Sequence, residues 1–312
     1  MSFEIVGYDR SHLPAMMDLF KRQTAGEPFI APLTPDLFVA LVEEKSYFDP
    51  EGLLVAVDGG EVVGWIHACV APGSEARHDP ADHVPRIRLL IYPPERLTVG
   101  HALVAEATAW LQRTGREELL AMHSAAGYPF YRGLWLGGEP KCPATMPHLQ
   151  LAFEVAGYNN TLESVGMVAA MPDPPPAIEA ALPLDLVDAP AEMAHEPMRE
   201  SWIGFEPRVT AAMIDGERVG RIAWVLIPYV AERLGAPCMN IWGLGVDEEH
   251  RRKGIATALI AHAMRGSHAL GARFASVSTQ LWNWPAQRTY AALGFVPYTI
   301  TVGRTLRPEG DA

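Results

Sequence analysis

Apolar and polar residues alternate in two separate stretches of the chain, residues 53–66 and residues 209–222. In both stretches a glycine-containing turn interrupts the alternation, and this pattern predicts a β-hairpin with half-buried strands. The segment from Gly60 to Ile66 shares five of its seven residues with the segment from Gly216 to Ile222. The two similar hairpins therefore predict an internal duplication.

The segments that follow the two hairpins also correspond. Apolar runs at residues 86–93 and 240–247 predict strands, and each leads through a polar turn into a segment with helical spacing of its apolar residues. A further strand, a further helix and a glycine–aromatic pair, at residues 157–158 or 294–295, complete each copy. This order predicts an α+β fold of two tandem copies, each a mixed, mainly antiparallel sheet flanked by helices.

A proline-rich segment separates the two copies. Residues 173–183 contain a run of three consecutive prolines, which favours extended backbone and is typical of a linker. We therefore predict a first domain over residues 1–172 and a second domain over residues 184–312.

Composition and charge exclude several classes of protein. The 312 residues contain 25 Lys and Arg against 37 Asp and Glu, a formal net charge of −12 that disfavours nucleic-acid binding. The three cysteines, Cys69, Cys142 and Cys238, are far apart and predict neither a disulfide framework nor a metal site. No secretory signal is recognisable, and the apolar runs are shorter than the ~18 residues of a membrane span. We therefore expect a soluble, cytoplasmic protein that does not act at a membrane.

One turn of the second copy carries candidate chemistry. The predicted strand ends near Val246 and Gly254 opens a helix, and the first turn of a helix has unpaired N–H groups that attract anions. Arg251, Arg252 and Lys253 add positive charge immediately before this glycine. The GxxxxGK[ST] and GxGxxG loops are absent, which disfavours a nucleoside triphosphate or a dinucleotide. On these residues alone, a solvated polar turn remains the alternative.

The second copy contains two motifs that resemble those of the GNAT superfamily of acetyl-CoA-dependent N-acetyltransferases. Arg251, Gly254 and Ala256 match its pyrophosphate motif, Arg/Gln-x-x-Gly-x-Gly/Ala. The later motif, Asn-x-x-Ala-x-x-x-Tyr-x-x-x-Gly-Phe, is matched in the same order by residues Asn283, Ala286, Tyr290, Gly294 and Phe295. The resemblance is specific for the second copy and weaker for the first, and the arrangement is similar to that of tandem GNAT proteins such as the mycothiol synthases.

The resemblance implies acetyl-CoA as co-substrate, a small-molecule amine as acceptor and no metal. It implies that the pantetheine arm pairs with the strand around Gly243 and Gly245, whose backbone N–H groups would face the thioester. Tyr290 is the implied acid for the departing thiolate, although a tyrosine on an amphipathic helix is otherwise a core residue. The implied cofactor-binding residues are Leu244, Gly245, Val246, Arg251, Arg252, Lys253, Gly254, Ile255, Ala256, Thr257 and Asn283. For Asn283 a helix N-cap ahead of Pro285 is the alternative.

The first copy lacks the side chains of both motifs. The positions of Asn283, Tyr290 and Arg251 correspond to Met146, Phe153 and Leu97 when counted from the matching glycines. Gly100 and Ala102 remain, so Gly100 is expected to open the first helix, and Arg96 is one position from the expected arginine. We therefore predict that the first copy is degenerate and non-catalytic.

The sequence does not single out a general base or an acceptor. Glu248, Glu249 and His250 lie in the turn, and Ser276 and Ser278 alternate on the later strand as candidates to hold a water chain. The acidic net charge would suit a cationic amine such as an aminoglycoside or a polyamine. A non-catalytic acyl-CoA sensor or partner-binding module is the alternative to an N-acetyltransferase with an active second copy.

Overall fold

The computed structural model describes residues 3–72, 83–123, 130–136, 140–193 and 196–307. The first half contains strands β1 (Glu4–Gly7), β2 (Leu53–Asp58), β3 (Glu61–Pro72), β4 (His83–Ile91), β5 (Leu119–Ala121), β6 (Cys142–Pro143) and β7 (Asn159–Ala170). Its helices are α1 (Leu13–Gln23), α2 (Pro35–Phe38), α3 (Leu97–Gln112) and α4 (Pro147–Val155).

The second half has a similar order of elements, with an additional short helix between its third and fourth strands and, among its described residues, no counterpart of α2 or β6. Its strands are β8 (Asp185–Pro190), β9 (Arg208–Ile214), β10 (Glu217–Ile227), β11 (Cys238–Val246), β12 (Phe274–Gln280) and β13 (Val296–Leu306). Its helices are α5 (Glu196–Ser201), α6 (Ala231–Leu234), α7 (Ile255–Ala269) and α8 (Trp284–Ala291). In the part of the chain that the structure describes, no helix is long and apolar enough to cross a membrane.

Both predicted hairpins are present, β2–β3 and β9–β10. Their turns place two consecutive residues at positive φ, Gly59 and Gly60 in the first hairpin and Asp215 and Gly216 in the second. Two central residues of this conformation match the right-handed twist of the flanking strands, which explains the glycines at these positions.

The two copies form one continuous sheet because their last strands are exchanged. The strand order is β1-β2-β3-β4-β5-β13-β7-β12-β11-β10-β9-β8, with the short β6 paired to β13. Strand β13 of the second copy lies between β5 and β7 of the first copy, and β7 in turn pairs with β12 of the second copy. The predicted α+β class with tandem mixed, mainly antiparallel sheets and flanking helices is confirmed, and neither half completes its sheet alone.

Helix α7 anchors the core of the second half. Its predicted apolar face is buried against β9, β10 and β11, through residues Ile255, Leu259, Ile260, Ala263 and Met264. Burying a large aliphatic side chain contributes about 1.5–3 kcal/mol, so this face is the main force that holds the start of α7 in place.

The proline-rich segment lies along α7 rather than away from it. Asp173 is 3.4 Å from His268 near the end of α7, and the carbonyl of Pro176 accepts a hydrogen bond of 3.4 Å from Arg265. At the start of the helix the amide of Ala181 donates to the carbonyl of Lys253 at 3.0 Å. The segment is thus a packed strap along the helix, while the boundaries at residues 172 and 184 stay a prediction.

Candidate active site

Strands β11 and β12 separate halfway along their length. They pair in parallel only from Cys238 to Ile241, whereas β11 continues to Val246 beside β10. A register shift opposite Ala223 and Trp224 marks a β-bulge at Trp242, where the separation begins. A bulge bends its strand and leaves a residue unpaired, so the bulge explains why β11 turns away from β12. From Trp242 to Val246 one edge of β11 therefore faces an opening in the sheet.

The start of α7 lies just beyond this open edge. Gly254 is the N-cap residue and has φ +82°, a left-handed conformation that a side chain would strain. No side chain caps the helix, so the amides of Ile255, Ala256 and Thr257 have no acceptor inside it. The Ile255 side chain is buried in the core, which leaves only its backbone for a ligand. Amides of this kind, together with the helix dipole, can attract an anion.

The three basic residues before Gly254 differ in their surroundings. Arg251 and Arg252 are exposed, and Arg251 Nε donates to the carbonyl of Val246 at 3.1 Å, which ties the turn to the end of β11. Arg252 has φ +61°, and Lys253 is half-buried with its carbonyl bonded to the strap. The turn therefore places two exposed arginines and a half-buried lysine directly before the uncapped start of α7.

The two motif residues of α8 have different environments. Asn283 is the N-cap of α8: its Oδ1 accepts from the amide of Ala286 at 3.4 Å, and its Nδ2 donates to Thr279 Oγ1 at 3.1 Å. These contacts correspond to the alternative role of Asn283, that of a helix N-cap, rather than to cofactor binding. Tyr290 is 5% exposed, and burial raises the pKa of its phenol to about 12. Among the described residues its hydroxyl has no hydrogen-bond partner.

The candidate bases do not gather at the opening. Glu248, Glu249 and His250 form a 3-10 turn beyond the end of β11. Ser276 Oγ donates to the carbonyl of Leu136 at 2.8 Å, and Ser278 Oγ accepts from Lys141 at 2.8 Å. The described residues contain no group of side chains that could hold a metal ion.

The corresponding place in the first half is closed. Helix α3 begins at Leu97, so the expectation that Gly100 opens this helix is wrong, and Arg96 occupies the N-cap position and pairs with Asp58. The ring of Tyr92 packs directly against Gly100, where a Cβ would lie 2.2 Å from Tyr92 Cζ. The Tyr92 hydroxyl donates to the carbonyl of His148 at the start of α4. The tyrosine thus fills the space between the two helices.

A cavity that the sequence did not indicate lies beside the open part of β11. Its volume is about 680 Å³, and its lining includes Arg218, Arg221 and Glu192 together with the backbone from Trp242 to Gly245. These side chains come from β10 and from the segment after β8, so only the strand register brings them together. No local motif in the sequence pointed to them.

The match to a family model agrees with this geometry. Residues 176–295 match the model of the acetyltransferase (GNAT) family, so this part of the second half is similar to that family. The match includes the strap, β11, α7 and α8. A search of curated protein sequences gives no significant match.

Solved structures extend the likeness to the whole chain. A tandem GNAT protein from the clavulanic acid biosynthesis pathway superposes with a TM-score of 0.66 at 18% identity, over 100% of both chains. A GCN5-related N-acetyltransferase from Sphaerobacter thermophilus gives 0.64 at 17% identity, over 99% of this chain and 98% of that one. A putative acetyltransferase from Pyrococcus horikoshii gives 0.57 at 12% identity, over 98% and 90% of the two chains. The whole chain therefore has the tandem GNAT fold.

Proposed function

We propose that the protein transfers the acetyl group of acetyl-CoA to the primary amine of a small molecule, and that its second half carries the reaction. The observation that carries the proposal is the open edge of β11 followed directly by the uncapped start of α7. An unpaired strand edge can accept an extended amide-containing chain as an added strand. The helix start beyond it can accept a diphosphate.

Along the chain, the strand edge comes before the helix start, and along acetyl-CoA the pantetheine arm lies between the thioester and the diphosphate. The proposed contacts follow these two orders. The backbone of Leu244, Gly245 and Val246 would pair with the pantetheine amides and stabilise charge on the thioester carbonyl oxygen. The amides of Gly254 to Thr257, with Arg251 and Arg252, would hold the diphosphate. In the reaction the amine nitrogen bonds to the acetyl carbon, the carbon–sulfur bond breaks, the amine loses a proton and the thiolate gains one. The protonated phenol of Tyr290 is the proposed proton donor to the thiolate.

The difference between the two halves supports activity in the second half alone. The ring of Tyr92 packs against Gly100 and its hydroxyl donates to His148 of α4, whereas the atoms nearest to the corresponding Gly254 belong to the backbone of residues 179–181. The first half keeps the same strand separation, since β4 pairs with β5 only at Arg86 and Ile87. Its role is then structural: it supplies strands β5 and β7 to the shared sheet.

The stoichiometry of acetyl-CoA binding tests the proposal. Calorimetric titration of the full chain is expected to give one bound acetyl-CoA per chain, and release of free thiol is expected when a suitable amine is added. Two equal sites per chain would contradict the assignment to the second half. Binding without thiol release across a broad set of amines would favour the non-catalytic sensor, and no binding at all would overturn the proposal.

A further inference from the structure

The cavity beside β11 opens on the face of the sheet opposite to α7. Ile222 and Leu244 are register partners on β10 and β11, and both belong to the core that contains α7. Side chains alternate along a strand, so Arg221 points to the other face, and its register partner is Gly245. Arg221, Ala223, Gly243 and Gly245 all line the cavity. The proposed diphosphate site and the cavity therefore lie on opposite faces of β11.

Beyond Ile241 strand β11 has no hydrogen-bonded partner on the β12 side, so both faces of the sheet border this gap. Gly243 and Gly245 leave the floor of the cavity without side chains, and a Cβ at Gly245 would meet nothing within 4 Å. A thioester that pairs with the edge of β11 from one face is thus within reach of a nucleophile that enters from the other. Trp242, half-buried against Trp202 with ring centroids 5.6 Å apart, forms the inner wall. The cavity is consequently placed to hold the acceptor.

The charges that line the cavity oppose the net charge of the chain. Arg218 and Arg221 are exposed, and no described residue forms an ion pair or a hydrogen bond with either guanidinium. By contrast, the nearby Arg208 pairs with Glu206 at 3.4 Å. Among the described residues that line the cavity, Glu192 is the one carboxylate. A chain with a net charge of −12 thus presents to this cavity two arginines that have no partner within the described part of the chain.

From this arrangement we infer that the acceptor is an amine that also carries an anionic group, a carboxylate or a phosphate, which Arg218 and Arg221 bind. Guanidinium groups bind both anions through paired hydrogen bonds. Glu192 would attract the ammonium form of the same molecule. The inference rests on the proposed function, and it replaces the cationic acceptor that the overall charge suggested with a zwitterionic or phosphorylated one.

Matched pairs of amines test the inference on the full-length protein. Thiol release from acetyl-CoA is measured with alanine against alaninamide, which lacks the carboxylate, and with glucosamine 6-phosphate against glucosamine, which lacks the phosphate. In at least one pair, we expect the amine with the anionic group to have a kcat/KM about tenfold or more above that of the amine without it. The carboxylate pair and the phosphate pair distinguish the two kinds of anion.

Variants then assign the preference to the cavity. Arg218→Ala and Arg221→Ala are each expected to raise the KM for the anionic amine about tenfold, with the KM for acetyl-CoA unchanged, and Arg221→Lys is expected to restore part of the loss. Arg22→Ala removes the same charge from the exposed side of α1 and serves as the control. An anion preference that survives both alanine variants would overturn the inference.

Outcomes without turnover are also decisive. If none of the four amines is acetylated, their binding to the protein saturated with coenzyme A is measured by calorimetry, and failure of both anionic amines to bind overturns the inference. If both members of each pair are acetylated with equal kcat/KM, the inference about the anionic group is overturned, whereas the proposed acetyltransferase function is supported. Absence of acetyl-CoA binding, in contrast, identifies a failure of the proposed function itself.

Discussion

Burial decides the ionisation of the side chains that matter most in this protein. Tyr290 belongs to α8, and its ring packs in the core against that of Phe295, with the two ring centroids 5.7 Å apart. This burial raises the pKa of the Tyr290 phenol to about 12. A phenol with this pKa stays protonated at neutral pH and can donate to a thiolate. In the first half, burial acts on His67 in the opposite direction and keeps its imidazole neutral.

Replacement of Tyr290 by Phe removes the proposed acid and keeps the ring in the core. We expect kcat to fall about a hundredfold, since a positioned acid typically contributes 10²–10⁴-fold, with little change in acetyl-CoA affinity. Steady-state kinetics and calorimetry measure the two quantities. Tyr158→Phe is the matched control, because burial also raises the pKa of this first-half phenol to about 12. An unchanged kcat in Tyr290→Phe would exclude the phenol from the reaction.

The buried His67 predicts a loss of stability in mild acid. Desolvation by burial, assisted by the charge of Arg88, lowers the pKa of His67 from 6.5 to about 3. Below pH 6.5 the unfolded chain binds a proton that the folded chain does not, so the free energy of unfolding falls as pH drops from 6.5 towards 3. The loss is roughly 2 kcal/mol at pH 5. Denaturant unfolding at pH 7 and pH 5 measures it, and His67→Gln is expected to flatten this dependence; an equal slope in both proteins contradicts the assignment.

At the scale of elements, one bulge and one helix start create the site. The bulge at Trp242 turns β11 away from β12, and the apolar face of α7 fixes the position of its first turn. The turn between them requires a left-handed residue at Gly254. The element boundaries, rather than any single side chain, therefore place the open amides beyond the open strand edge.

Gly254→Ala tests this arrangement against a matched glycine. Gly254 and Gly216 have nearly the same φ, +82° in the N-cap and +83° in the hairpin turn. An added Cβ would make an ordinary contact of 3.4 Å with Ala180 Cα at Gly254 and would meet nothing within 4 Å at Gly216. Both alanine variants are expected to lose about 1–2 kcal/mol of stability through backbone strain. Only Gly254→Ala is expected to weaken acetyl-CoA binding, by about tenfold or more. Equal affinities in the two variants, measured by calorimetry, would remove this turn from the site.

At the scale of the whole molecule, the exchange of β7 and β13 makes the two halves one structure. Strand β13 pairs with β5 and β7 of the first half, and β7 pairs with β12 of the second. Residues 130–136 add further contacts, because the carbonyl of Leu136 accepts hydrogen bonds from Asn240 and Ser276. An isolated half would expose the edges of strands that the other half covers.

Cleavage of the connecting strap is therefore expected to leave the halves associated. A protease site inserted after Pro176, once cut, should give two fragments that co-elute in size-exclusion chromatography under native conditions. They should separate only in denaturant, because the exchanged strands and not the covalent link hold the halves together. Elution of two separate folded fragments in native buffer would contradict the exchange.

Local sequence determined the elements of this protein. The alternation at residues 53–66 and 209–222, the helical spacing after Gly254 and the two motifs of the second copy were enough to predict the tandem GNAT fold and the anion site. They depend on neighbours within a turn or a hairpin, where spacing along the chain fixes geometry.

The tertiary structure alone decided the rest. Three features depend on residues that are distant in sequence or on the register of the strands. They are the strand exchange, the packing of Tyr92 against Gly100 in the first half, and the position of Arg218, Arg221 and Glu192 at one cavity. A strand pairs through backbone groups that every residue shares, so the sequence of β13 does not state which neighbour it joins. Packing of the whole sheet makes that choice, and with it the shape and charge of the cavity beside β11.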